Sequence, residues 1–214
     1  MAVDECLFVA QRRRPGASTI QIPEHRFPTM NSLQCSDPPQ ATAQVLRDWH
    51  QADTLARAQQ RSFGLWERSQ IIDKSGLEIF RDVASGLLPA LPIMRTLDFQ
   101  IVEVAHGYIV LQARPQAGHF NPLGSAHGGW IATLLDTAAG CAVHTSLPAG
   151  KACATSNLNI HYVKGIGSDV PMVRAIGRLL HSGKTMGTSE ASVVGADGKL
   201  YAHATSTVVT LSPR

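Results

Sequence analysis

The stretch from His127 to Thr145 most narrows what this chain can fold into, because it is mostly apolar and carries one formal charge, the carboxylate of Asp136. From Trp130 to Val143 it reads as a helix apolar nearly all round, and such a helix must be covered by other structure. Burying an unpaired carboxylate costs several kcal/mol in effective terms, so a chain seldom keeps one without a structural or chemical use. The structural use would be a hydrogen-bonded tie between Asp136 and nearby backbone or hydroxyl groups. The chemical use is that of a reacting or proton-accepting group.

The flanking segments supply the cover. Residues 1–40 contain Pro15, Gly16, Pro23, Pro28, Pro38 and Pro39 without a lasting period, and read as irregular or disordered. From Thr42 to about Gln60, the spacing of Val45, Trp49 and Leu55 permits an amphipathic helix with a thin stripe. At Ser75 the pattern sharpens: Ser-Gly-Leu-Glu is a capping box, and Leu77, Phe80 and Val83 form the buried stripe of a short helix that ends before Pro89. Thr96 to Ala105 and Tyr108 to Arg114 make a hairpin about His106-Gly107, and four further strands follow the apolar helix: 154–163, 170–180, 185–194 and 200–211. Gly195-Ala196-Asp197-Gly198 joins the last two as a tight turn. Two strands, one apolar helix and four strands fit an antiparallel sheet curled about a central helix. This α+β arrangement is the hotdog fold, expected over residues 75–214, with residues 1–74 as a partly disordered or helical N-terminal extension.

Composition excludes several classes. A formal charge of +3 over 214 residues, with one short basic run at Arg12, Arg13 and Arg14, does not argue for nucleic acid. No segment reaches the roughly 18 apolar residues of a membrane span, and nothing resembles a signal peptide, since Asp4 and Glu5 occupy its positive region. Cys6, Cys35, Cys141 and Cys153 lack metal or redox spacing, which fits a reducing, cytoplasmic setting. The nine histidines show no ligand spacing, so neither a metal nor a cofactor is expected.

Gly128 and Gly129 open the helix that carries Asp136, and the first N–H groups of a helix have no partner further back. An amide donor where negative charge develops, together with a carboxylate that attacks or activates water, is the chemistry of thioester cleavage. Asp136 follows Gly128 by eight residues, which is about 12 Å along a helix axis. The two cannot meet at one carbonyl within one chain. If both are catalytic, Asp136 of one subunit faces Gly128 of another, as when two such helices lie antiparallel across a two-fold axis.

The run His119-Phe-Asn121-Pro-Leu-Gly124-Ser-Ala-His127-Gly128-Gly129-Trp130, continuing through Asp136, resembles the signature of PaaI-type hotdog acyl-CoA thioesterases. Ala154 to Tyr162, His181 to Thr185 and Asp197 to Thr205 resemble the family's later strands in order, so the likeness covers residues 75–214. It implies that Asp136 is the nucleophile or general base, that the Gly128 N–H polarises the thioester oxygen, and that His127 and Asn121 shape the site. Thr155, with Ser156 as its substitute, would position the attacking water. Coenzyme A would lie near Gly129, Tyr162, Val163, Lys164, His181, Ser182, Gly183 and Lys184, although Lys164 and Lys184, each taken alone, read more readily as ordinary solvated lysines. Trp130 is either a wall of the acyl pocket or plain core. The implied partners are an acyl-CoA substrate and further copies of the chain, as a homodimer or homotetramer. A hotdog hydratase and a non-catalytic acyl-CoA sensor are the rival readings, and retention of Asp136 opposes the sensor.

Overall fold

The computed structural model describes residues 39–212. The expectation of irregular structure over residues 1–40 therefore falls outside the described residues except at its last two positions, and Cys6, Cys35 and Arg12 to Arg14 fall outside them as well. The elements are α1 (Pro39–Gln59), α2 (Arg68–Ile71), α3 (Gly76–Ala84), α4 (Pro92–Leu97), β1 (Phe99–Ala105), β2 (Tyr108–Ala113), α5 (Gly128–His144), β3 (Ala152–Tyr162), β4 (Val173–Ser182), β5 (Met186–Gly195) and β6 (Leu200–Leu211). A single 3-10 turn, Ala117–His119, lies between β2 and α5.

The six strands form one antiparallel sheet in the order β1-β2-β4-β5-β6-β3. Strands alternate their faces, so in β2 Ile109, Leu111 and Ala113 join the core around α5, while Val110 and Gln112 point the other way. Leu134, Leu135, Ala138, Ala139 and Ala142 of α5 are fully buried against this inner face. The helix sits so close to β4 that a Cβ on Gly177 would lie 2.0 Å from the carbonyl oxygen of Ala138. Only glycine permits that approach. This is the hotdog fold, and the strand and helix positions expected from sequence agree with it to within three residues.

The Ser75 capping box forms as expected, with Ser75 N–H and Oγ donating to Glu78 Oε2 at 2.7 and 2.6 Å. The buried stripe of α3 differs from expectation: Ile79 is buried with Phe80 and Val83, and Leu77 is half-exposed. The helix is turned slightly because Gly76, without a side chain, docks against the end of α5 at His144.

Helix α1 lies on the outer face of the sheet and belongs to the same compact unit. Its stripe is thin because polar contacts hold it. Buried Gln112 donates to the Trp49 carbonyl at 2.7 Å and accepts from Arg174 Nε at 2.9 Å, and the Arg174 guanidinium stands 4.6 Å over the Trp49 ring. Asp53, with a side chain 0% exposed, accepts from Arg57 at 2.8 Å and from Arg114, while Arg57 also reaches Asp98 at 2.8 Å.

Among the described residues, no helix is long and apolar enough to cross a membrane.

Candidate active site

Helix α5 is covered by the sheet on most of its surface, but Ala132, Thr133, Asp136, Thr137 and Gly140 are half-exposed. Their three- and four-residue spacing puts them on one stripe. Asp136 Oδ1 is shielded from solvent and has no hydrogen-bond partner, so the structural tie weighed above does not form at that oxygen. The Asp136 side chain thus lies on the half-exposed stripe with one carboxylate oxygen shielded and unpaired.

Strand β3 supplies the other wall. Register with β6 shifts between Thr155 and Asn157, so Ser156 is the extra residue of a bulge. Because of that bulge, Thr155 before it and Leu158 and Ile160 after it all face α5. Thr155 Oγ1 lies 3.7 Å from where a Cβ on Gly140 would be, one turn beyond Asp136. Cys153 Sγ approaches the Gly140 carbonyl at 3.8 Å, and burial pushes its thiol up to about 11.

A second cluster lies at the start of α5. His127 is its N-cap: Nδ1 accepts from the Gly129 N–H at 2.9 Å, and its carbonyl accepts from Trp130 and Ile131 at 2.9 and 3.3 Å. Of the two glycine amides read as free from sequence, Gly129 is thus engaged by His127. The Gly128 N–H has no acceptor among the described residues. The Tyr162 hydroxyl donates to the Gly128 carbonyl at 3.0 Å, closing the end of β3 onto the helix start. Asn121 organises the preceding loop, its Oδ1 accepting from Leu123 and Ser125 amides at 2.9 and 3.3 Å and its Nδ2 donating to Ser125 Oγ at 3.0 Å. Ala126, Gly128, Ile131, Tyr162, Val163, Lys164 and Gly165 line a cleft of about 260 Å³ beside this cluster.

Two candidates do not line that cleft. Trp130 is buried, donates Nε1–H to the Leu97 carbonyl at 3.0 Å and stacks on His119 at 5.3 Å between ring centres, so it is not on the cleft wall. His181 and Ser182 end β4 and run into the β4–β5 turn through Gly183 and Lys184, and Ser182 Oγ meets Ser146 Oγ at 3.1 Å just past the end of α5. The 17 residues of α5 span about 25 Å, so this turn and the Tyr162–Lys164 segment lie at opposite helix ends. Within one chain the expected site is therefore two half-sites: Asp136 with Thr155, and Gly128 with His127, Asn121 and Tyr162. Sequence reasoning missed Gly140 and the capping role of His127. A glycine inside an otherwise apolar helix, and a histidine directly before Gly-Gly, were the available signals.

Residues 123–202 match the Thioesterase superfamily model. A Halobacterium salinarum protein designated, by inference, an esterase is 41% identical over 73 residues, 33% of this chain and 46% of that protein. The chain thus spans about half the length of that curated relative. Among solved structures, a phenylacetic acid degradation-related protein of Ralstonia eutropha is 26% identical with a TM-score of 0.56, covering 61% of this chain and 98% of that one. A mutant of the phenylacetic acid degradation protein PaaI from Thermus thermophilus is 28% identical with a TM-score of 0.50, covering 55% and 97%. The PaaI protein of E. coli, at 22% identity and a TM-score of 0.52 over 56% and 83%, shares the fold.

Proposed function

We propose that the PaaI-type hotdog domain of this chain hydrolyses acyl-CoA thioesters to a free acid and coenzyme A, in an active site shared between two copies of the chain. The carrying observation is that Asp136 Oδ1 and the Gly128 N–H both lack partners among the described residues, while about 12 Å of helix keeps them apart within one chain. Antiparallel packing of two α5 stripes about a two-fold axis brings each carboxylate to the other chain's amide. Edge strand β3, eleven residues long and exposed over much of its length, is free to pair with its symmetry mate and extend the sheet.

In that arrangement the Gly128 N–H donates to the thioester oxygen as it gains negative charge. Asp136 acts either as nucleophile or as general base. As base it takes a proton from water held near Thr155, the water oxygen bonds to the carbonyl carbon, and the C–S bond breaks as the proton passes to the departing thiolate. The cleft at Tyr162, Val163 and Lys164 and the partner's turn at residues 181–184 then lie on one side and offer basic and amide donors to the coenzyme. The free thiols of Cys141 and Cys153 suit a cytoplasmic location.

The test is thiol release from aromatic, short-chain and long-chain acyl-CoA esters by wild type and Asp136→Asn. Turnover by wild type and its loss in the variant support hydrolysis. Binding of acyl-CoA without turnover would instead assign the chain as a sensor.

A further inference from the structure

The hydrogen bonds at the start of α5 form one connected chain whose direction is fixed by chemistry. The Gly128 carbonyl can only accept, so Tyr162 Oη–H donates to it at 3.0 Å. The N–H of the same peptide, that of Gly129, can only donate, so His127 Nδ1 accepts at 2.9 Å. Tyr162 and His127 thus hold opposite ends of a single peptide group. A donor on the carbonyl polarises the peptide and strengthens its N–H as a donor, so the two bonds reinforce each other. With Nδ1 accepting, the ring proton of neutral His127 sits on Nε2.

We propose that Tyr162 is a positioning residue: by bonding the Gly128–Gly129 peptide it locks His127 in the Nε2-protonated form and leaves the Gly128 N–H as the single free donor of the helix start. The Tyr162 ring supports the same task sterically, lying 3.4 Å from where a Cβ on Gly128 would be, so it also backs the peptide against rotation. Tyr162 is 54% exposed, which leaves it open to the cleft, so a plain coenzyme contact is the competing role. The kinetic part of this inference rests on the thioesterase reading; the tautomer lock does not.

The experiment is Tyr162→Phe, which keeps the ring and removes only the hydroxyl. The structure leads us to expect kcat to fall by about five- to tenfold, the effect of one hydrogen bond, with KM changed by less than about twofold. In 15N spectra of the imidazoles, His127 should pass from a single Nε2-protonated pattern to an average of tautomers, and the Gly129 amide should exchange faster with solvent. A rise in KM at constant kcat would overturn the proposal in favour of a coenzyme contact, and so would an unchanged His127 spectrum. If wild type turns over no acyl-CoA ester, the functional reading fails by itself, and the two spectroscopic measurements still decide the lock.

Discussion

Asp136 and Gly140 are both poor choices for the stability of the helix that holds them. The Asp136 Oδ1 atom is desolvated without a partner, and Gly140 sits where alanine would fit, since the nearest atom to an added Cβ is Thr155 Oγ1 at 3.7 Å. Asp136→Asn should therefore lower kcat/KM by about 10²- to 10⁴-fold, the range for a general base, with no fall in Tm by calorimetry. Gly140→Ala should stabilise the fold by up to about 1 kcal/mol in urea unfolding while slowing turnover, because it fills space one turn from the carboxylate. A Gly140→Ala variant that is stabilised and fully active against every ester tested would show that the space is not used. The thiol of Cys153, raised to about 11 by burial, holds little thiolate near neutral pH. Alkylation at Cys153 in native protein, read site by site from digested peptides, should be slow at pH 8 and accelerate as pH approaches 11, whereas fast labelling of that residue at pH 8 would contradict its burial.

At the level of elements, regular alternation made the strands legible, and a run without charge made α5 legible. What remained hidden depends on contacts distant in sequence. The docking of α1 on the outer sheet face rests on Gln112, Arg174 and Arg114, which look like surface residues when read along their own strands. The bulge at Ser156 inverts which residues of β3 face the helix, and no local pattern announces it. Ile79 displaced Leu77 from the α3 stripe because the helix is rotated by its seat at Gly76. Trp49, 8% exposed beneath Arg174, anchors α1. Trp49→Ala should cost about 3 kcal/mol in urea unfolding, the low end for a buried tryptophan, with kcat retained in the folded fraction. Loss of kcat alongside stability would mean that α1 acts on the site as well as on the fold.

For the molecule as a whole, the sequence carried the identity of the paired groups, and helix geometry carried their separation, but the cap that engages Gly129 required coordinates. The claim on which the rest depends is that each site takes its acid from one chain and its amide donor from another. Gly128→Pro removes that donor at a helix position where proline is well tolerated, after His127 in extended geometry. Asp136→Asn removes the acid. Each variant alone should be inactive. Co-expressed with different tags and purified through both, the mixed dimer holds one wild-type Asp136 opposite one wild-type Gly128, and about half of the wild-type activity per dimer should return. A mixed dimer as inactive as its parents, or turnover by a strictly monomeric wild-type chain, would contradict a site shared between subunits.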